Sequence, residues 1–451
     1  KLARTLGDAG VPILGTSPAS IDLAEDRERF NTLCTQLGIP QPDGGTASSP
    51  ADARAVAERI GYPVLVRPSY VLGGRAMQII YDDHGLDAAM AELAGTGSLG
   101  REGGLSATRP VLIDRFLEDA IEVDVDALRD ATGDVAIGGV MEHIEEAGVH
   151  SGDSACVIPP TTLPAPVIAT IEDSTRALAS ALDVRGLLNV QYAVKDGEVF
   201  VLEANPRASR TVPFVSKATS VPLAKLAARV MLGATLSELR AEGLRLPRQG
   251  SGGHVAVKEA VLPFERFPEV DTLLGPEMRS TGEVMGVDRS FGLAFTKSQA
   301  AAGNRLPEGG TVFLSLADRD KPAGLTAARR LVELGFSLVA TAGTAASLEA
   351  DGIPVDAVVA KLGEDHEPGM DAVDMISSGK VDLVINTPRG RGPRADGDHI
   401  RRAATAHRVS CVTTVAAAVA AASGLAEWTT SEPQVRSLQE YHRDHQLRLE
   451  V

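Results

Sequence analysis

Leu188-Asn189-Val190-Gln191-Tyr192-Ala193-Val194-Lys195-Asp196-Gly197-Glu198-Val199-Phe200-Val201-Leu202-Glu203-Ala204-Asn205-Pro206-Arg207 is the stretch on which the reading of this chain turns. Two apolar-rich runs, Leu188–Val194 and Val199–Glu203, flank Asp196-Gly197. That dipeptide favours the positive φ angles of a tight hairpin turn, so the segment predicts two antiparallel strands. Glu203, Asn205 and Arg207 occupy alternate positions and share one face of an extended chain. A carboxylate and a carboxamide offer the hard oxygen ligands that Mg²⁺ takes, usually with substrate phosphates completing its shell. A strict two-residue turn pairs Gln191 with Leu202 rather than Glu203. Gln191 therefore joins that face only through a longer loop or a bulge. The competing reading is a surface hairpin with solvated polar residues.

Further candidates surround this hairpin. Arg67 ends the apolar strand Val64–Arg67, beside Gly73-Gly74, where missing side chains permit close approach to a phosphate. Arg207 and Arg210 are planar cations suited to clamping a carboxylate, carbamate or phosphate. Gly148–Ser154 is a polar loop bracketed by glycine, with His150 and Ser151 at its centre. Strands are predicted at Val11–Leu14, Ala76–Tyr81, Val111–Phe116, Ile121–Leu128 and Val135–Ile144, and helices at Asp22–Leu37, Ala51–Ile60, Pro166–Leu182 and Leu223–Leu232. Glu122, Asp124 and Asp126 alternate with Ile121, Val123 and Val125. Arg67, Glu122, His150, Gln191, Glu203, Asn205 and Arg210 thus come from separate strands and loops of one β-rich region. A magnesium-held nucleotide with an anionic acceptor accounts for them together. There is no GxxxxGK[ST] phosphate loop.

The composition shifts near Gln299–Gly310. Beyond it, strands Thr311–Leu316, Ser337–Ala340, Val355–Val359 and Leu383–Ile385 alternate with helices Gly324–Leu334, Thr344–Ala350, Asp371–Ser377 and His399–His407. This is the pattern of a doubly wound parallel sheet, so the fold class is α/β and α+β multidomain with a boundary near residue 305. Val435–Val451 reads as a charged helix. The 451 residues suffice for two to four domains, and 44% hydrophobic with 23% charged residues is globular composition. A net charge of −16 argues against a dedicated nucleic-acid binder. Cys34, Cys156 and Cys411 are too few and too dispersed for a disulfide framework, so a reducing, cytoplasmic setting is expected. No apolar run reaches the ~18 residues of a membrane span, and the Ala-rich stretch Val415–Ala422 stops at Ser423-Gly424. The first residues read as already within a fold, so a longer polypeptide is expected around this piece.

Several ordered runs resemble one family: Glu25-Asp26-Arg27; Arg67-Pro68-Ser69-Tyr70 with Gly73-Gly74-Arg75-Ala76-Met77; Glu122-Val123-Asp124-Val125-Asp126; His150-Ser151-Gly152-Asp153-Ser154; Glu203-Ala204-Asn205-Pro206-Arg207; and Leu274–Gly282. Together they are similar to the second synthetase half of the carbamoyl-phosphate synthase large chain, an ATP-grasp ligase, over nearly the whole sequence. The resemblance implies the end of a pre-ATP-grasp domain at 1–22, an ATP-grasp domain at 23–240, a connector and remainder of the synthetase unit at 241–304, and a methylglyoxal-synthase-like allosteric domain at 305–451.

It also implies roles. Arg67, Arg115, Leu117, Glu122, Gly148, Val149, His150 and Ser151 would contact ATP, with Arg27 joining them. Gln191, Glu203 and Asn205 would hold Mg²⁺ or Mn²⁺, with K⁺ as a further ion, and Arg207 and Arg210 would hold carbamate. The reaction would be phosphorylation of carbamate to carbamoyl phosphate, feeding arginine and pyrimidine biosynthesis. The Gly95–Arg109 and Gly73-Gly74 loops are lid candidates. Glu145, Asp153, Glu259 and Thr413 would contact ornithine, and Ser315, Lys321, Thr341, Thr344, Lys361, Asn386 and Thr387 a nucleotide monophosphate, with Arg401 and Arg402 adding charge. Ala342, Pro388 and Cys411 depart from the family pattern there. The implied partners are an N-terminal synthetase half and a glutaminase small subunit, with no nucleic acid and no membrane. Rival readings are a different ATP-grasp carboxylate–amine ligase and a non-catalytic nucleotide-sensing piece.

Overall fold

The computed structural model describes residues 2–68, 74–94, 110–244, 253–266, 272, 274–360, 371–387, 394–430 and 434–442. Both lid candidates, apart from Gly74, and Lys361 lie outside the described residues, as does Pro388. Strands β1 (Gly44–Ala47), β2 (Val64–Pro68), β3 (Gln78–Ile80) and β4 (Val111–Arg115) form an antiparallel sheet in the order β1-β4-β2-β3. Ala53, Ala57, Leu86 and Met90, from the helices Pro50–Ile60 and Asp83–Ala94, pack on its Val64, Val66 and Ile113.

The second sheet is larger. It comprises β5 (Ile121–Arg129), β6 (Val135–His143), β7 (Cys156–Ile158), β8 (Gly186–Lys195), β9 (Glu198–Asn205), β10 (Val255–Val261) and β11 (Gly282–Asp288), ordered β11-β10-β7-β6-β5-β8-β9. Ile171 and Leu178 of the helix Ala165–Ala181 cover Val123, Val125, Val190 and Val201 on one face. Helices Val212–Thr219 and Leu223–Met231 cover Leu128 and Met141 on the other. Both faces are therefore buried, and the acidic face of β5 does not reach water: Asp124 and Asp126 are each 1% exposed.

The third sheet is wholly parallel, with β12 (Thr311–Ser315), β13 (Ser337–Thr341), β14 (Ala357–Val359), β15 (Leu383–Asn386) and β16 (Ser410–Val412) ordered β14-β13-β12-β15-β16. The chain leaves β12 first to one side and then to the other, which makes its C-terminal edge a topological switch point. One apolar core runs unbroken from Val157, Val257 and Phe295 into Val312, Leu314 and Leu331, across residue 305.

The differences from the sequence reading have local causes. Val11–Leu14 is not a strand; Val11 and Leu14 are exposed, and among the described residues no strand pairs with them. The predicted helix Asp22–Leu37 is two helices, Pro18–Glu25 and Arg27–Leu37. Asp26 takes an extended conformation between them, and its side chain accepts from the Arg29 N–H at 3.1 Å, the N-cap role for which aspartate is suited. The Ala-rich stretch continues to Thr430 as one helix, passing through Gly424. Of the tail, only Leu438–Tyr441 is described as helix. No helix among the described residues is long and apolar enough to cross a membrane.

Gly424 tolerates its helical position because it crosses Gly292 of the helix Phe291–Ala302 at backbone distance: a Cβ on Gly292 would lie 2.6 Å from the Gly424 nitrogen. A Cβ on Gly424 would run into Thr296 Oγ1 and the Gly292 carbonyl. Gly424→Ala is expected to lower the melting temperature. Overpacking costs roughly 1–3 kcal/mol, against the ~1 kcal/mol that alanine returns in helix propensity. An unchanged or raised melting temperature in calorimetry would rule out this close crossing.

Candidate functional site

The hairpin turns at Asp196-Gly197 with both φ angles positive, +52° and +82°, as the dipeptide predicts. Pairing begins in the two-residue register: Lys195 faces Glu198 and Tyr192 faces Val201. It then shifts by one, so that Gln191 faces Glu203 and Asn189 faces Asn205. Leu202 is the extra residue. The bulge therefore decides which way Glu203 points. Val199 and Val201 belong to the apolar core, and an unbroken alternation would send Glu203 after them; with the bulge, Ala204 takes the core position instead. Glu203, Asn205 and Gln191 consequently lie on one face. Of the alternatives open at the sequence level, the bulged hairpin is the one present.

On that face, Asn205 Nδ2 donates to Glu203 Oε1 at 2.8 Å, and Arg207 Nη2 donates to Asn205 Oδ1 at 3.0 Å. Gln191 Nε2 lies 3.3 Å from Ser151 Oγ, which brings the His150-Ser151 loop over the hairpin. His150 titrates below its ordinary value because it is buried, and it also feels the charges of Arg210 and Glu203. Arg207 and Arg210 are exposed. The donor set for a cation is one carboxylate and two carboxamide oxygens, which suits a hard ion whose remaining ligands come from phosphate. The Asn205 oxygen keeps a second lone pair for a cation beside its hydrogen bond from Arg207. Among the described residues, no group of three or more His, Cys, Asp or Glu is placed to hold a metal.

Glu122, at the start of β5, accepts from the Gly148 N–H at 2.8 Å and so fixes the loop that carries Val149, His150 and Ser151. Gly148 has φ +88°, and a Cβ there would lie 2.8 Å from Phe116, so both conformation and space demand glycine. Burial raises the Glu122 carboxyl above its usual range. Across the site, Arg67 and Arg27 share one carboxylate: Arg67 Nη2 is 2.8 Å from Asp114 Oδ2, and Arg27 Nη2 is 3.1 Å from Asp114 Oδ1. The Nε atoms of both arginines are buried without a hydrogen-bond partner. Arg115 instead donates to the Tyr62 carbonyl, and Leu117 sits in the turn between β4 and β5.

Sequence reading missed the buried groups that continue this face across the sheet. His143 Nε2 is 2.8 Å from Asp124 Oδ2, and Asn189 Nδ2 bridges Asp124 and Asp126 at 3.0 and 3.1 Å. Ser209 and Thr211, flanking Arg210, donate to Asp126. Lys258, 1% exposed, donates to the Ser151 and Ser154 carbonyls at 3.2 and 2.7 Å. The only signal for this network was the acidic alternation on β5, which read as one face of a strand and not as a buried one.

The expected effector residues fall into two groups. Glu145 and Thr413 line one cavity, and the Glu145 charge reaches Glu259. Asp153 is apart from them in its bonding, its two oxygens accepting from the Arg279 and Ser280 backbone N–H groups at 2.7 and 2.9 Å. In the parallel sheet, Ser315, Thr341 and Asn386 end adjacent strands β12, β13 and β15. Thr344 Oγ1 accepts from the Leu316 N–H at 3.0 Å and Thr387 Oγ1 from the Ala317 N–H at 2.8 Å; Arg401 Nη1 lies 3.3 Å from Asn386 Oδ1. Lys321 pairs with Asp318 at 2.8 Å. Arg319, in the same turn, reaches Asp119 at 2.5 Å and Glu146 at 2.8 Å, tying the parallel-sheet unit to both the β4–β5 turn and the Gly148 loop.

Residues 26–239 match the family model described as carbamoyl-phosphate synthase L chain, ATP binding domain, and residues 324–413 match that of the MGS-like domain. The chain is 57% identical over 457 residues to the carbamoyl phosphate synthase large chain of Mycobacterium tuberculosis, covering 98% of this chain and 40% of that protein. It is 54% identical over 444 residues to the large chain of Rubrobacter xylanophilus, again with 98% and 40% coverage. The chain thus spans about two fifths of the length of these curated relatives. Among solved structures, the biotin carboxylase domain dimer of Hydrogenobacter thermophilus 2-oxoglutarate carboxylase, in complex with MgADP, ADP and bicarbonate, is similar over 66% of this chain and 70% of its own. The TM-score is 0.52 at 17% identity, a likeness of fold alone.

Burial, reinforced by neighbouring carboxylates, pushes Glu145 up to about 7 and Glu259 up to about 8. Both folded values lie above the unfolded one, so the folded state binds these protons more tightly. The stability they support is full at acid pH and is lost as pH rises through 7 and 8. Glu259→Gln is expected to flatten that decline, with a melting-temperature advantage over the parent that grows from pH 6 to pH 8.5. Parallel melting curves across that range would contradict it.

Proposed function

Because the chain belongs to the carbamoyl-phosphate synthase large-chain family, with that family's ATP-binding domain followed by an MGS-like domain, we propose that it transfers the γ-phosphoryl group of ATP to carbamate. The fold class is an ATP-grasp unit followed by a doubly wound parallel α/β domain. The observation that carries the reading is the bulge at Leu202, which sets Gln191, Glu203 and Asn205 on one face beside the Ser151 loop.

In this reading a carbamate oxygen attacks the γ-phosphorus and ADP leaves with its bond electrons, giving carbamoyl phosphate. The nucleophile is already an anion, so no strong general base is needed, and positioning with charge neutralisation does most of the work. Arg67, Arg115, Leu117, Glu122, Gly148, Val149, His150 and Ser151 hold the nucleotide. Gln191, Glu203 and Asn205 would hold Mg²⁺ or Mn²⁺, which when bound neutralises charge on the phosphate oxygens; K⁺ is a further candidate ion. Arg207 and Arg210 orient the carbamate from exposed positions, Arg207 by leaving its hydrogen bond to Asn205.

The whole protein's setting belongs to the same proposal: a cytoplasmic synthase with an N-terminal synthetase half and a glutaminase subunit, supplying arginine and pyrimidine biosynthesis. Ser315, Lys321, Thr341, Thr344, Lys361, Asn386 and Thr387 would take a nucleotide monophosphate. Glu145, Glu259 and Thr413, with Asp153, would take ornithine.

The reverse half-reaction tests the catalytic reading. With ADP, Mg²⁺ and carbamoyl phosphate, the 451-residue chain should form ATP. Glu203→Ala should reduce that rate by about 100-fold or more, since metal stabilisation of transition-state charge is worth several kcal/mol. Undiminished ATP formation in the variant would overturn the assignment of Glu203. ADP release with a carboxylate and an amine, and no ATP from carbamoyl phosphate, would favour another ligase.

A further inference from the structure

The bulge that orients Glu203 leaves one backbone group to be accounted for. Tyr192 faces Val201 and Gln191 faces Glu203, so Leu202 has no residue opposite it. A backbone carbonyl left unmet in a buried setting is costly. That carbonyl accepts from Arg27 Nη1 at 2.9 Å. The second terminal nitrogen of Arg27 is held by Asp114, and Asp114 by Arg67. Both ends of this bridge are fixed by the backbone. Arg27 opens the helix Arg27–Leu37 directly after its N-cap. Asp114 pairs across the sheet with Gly44, where any side chain would run into its carboxylate.

We propose that Arg27 is a positioning residue for the metal–nucleotide site: by taking the Leu202 carbonyl it stabilises the bulge, and the bulge in turn places Gln191 opposite Glu203. This rests on the nucleotide reading above for the identity of the site, and on the hydrogen-bond geometry alone for the role of Arg27. It differs from the expectation that Arg27 contacts the nucleotide. Both of its terminal nitrogens are engaged by protein, and its side chain is 12% exposed.

The test uses the 451-residue chain and the variant Arg27→Met. Amide hydrogen exchange is read in peptides covering residues 189–193 and 202–206 without ligand. Mn²⁺ binding in the presence of ADP is read by electron paramagnetic resonance, and ADP binding without metal by calorimetry. The variant should exchange faster in those two peptides and lose about 10- to 100-fold in Mn²⁺ affinity, the usual consequence of removing a partner behind a metal ligand, while metal-free ADP affinity changes by less than about 2-fold. Unchanged exchange in both peptides overturns the proposal. An equal loss of ADP affinity with and without metal also overturns it, because Arg27 would then touch the nucleotide itself. If the parent chain binds no Mn²⁺ with ADP, the nucleotide reading fails, and hydrogen exchange still decides the role of Arg27. Should Arg27→Met fail to fold, Asp114→Asn releases Arg27 from its anchor; faster exchange in the same peptides supports the proposal and unchanged exchange overturns it.

Discussion

One inserted residue governs the site. A β-strand alternates its faces strictly, so β9 in an unbroken two-residue register would bury Glu203 behind Val199 and Val201. Leu202 breaks the alternation once, between Val201 on the core face and Glu203 on the opposite one. Ala204 then fills the core, and Glu203 and Asn205 face the loop that carries His150 and Ser151. The cost is a displaced carbonyl and a local loss of pairing, and the guanidinium of Arg27 offsets the first of these.

The second constraint is charge in a dry interior. Glu122, Asp124, Asp126 and Glu259 lie on the central sheet and Glu145 just beyond β6, with Lys258 and His143 among them. Burial disfavours every one of these carboxylates, but partners divide them. Asp124 titrates below its usual range: burial works against its charge, but the His143 and Asn189 hydrogen bonds outweigh it. Asp126 is pushed up to about 6 by burial despite the hydroxyls of Thr211 and Ser209. At the edge of this acidic field, Arg319 faces Asp119, Glu146 and Asp320 together. The parallel-sheet unit is thus joined to the Gly148 loop through both a shared apolar core and an ion-pair cluster.

The hairpin was legible because Asp196-Gly197 has one favoured turn, and the parallel sheet because short apolar strands alternate with amphipathic helices. The bulge was legible only as a condition: the turn register shows that Gln191 needs it, but not that Arg27, 175 positions before Leu202, donates to the Leu202 carbonyl. The break at Asp26 was hidden because aspartate serves equally as an exposed helical residue and as an N-cap. The Val415–Thr430 helix seemed to end at Gly424 because glycine weakens helices. The reason it does not end lies on another helix, where Gly292 leaves room for the crossing. Arg67 was read as a phosphate-binding cation, while its acceptor Asp114 went unnoticed in the middle of an apolar strand. Local patterns singled out the candidate residues; long-range pairing decided which way they point.

The central claim is that the bulged hairpin presents Gln191, Glu203 and Asn205 as oxygen ligands to a metal-bound nucleotide. A crystal structure of the chain grown with Mn²⁺ and ADP, with the metal located by anomalous scattering, tests it most directly. The account predicts an anomalous peak bound by a Glu203 oxygen at about 2.1 Å, with Gln191 or Asn205 and a phosphate oxygen in the same shell. A peak on ADP that touches none of these three side chains would contradict it.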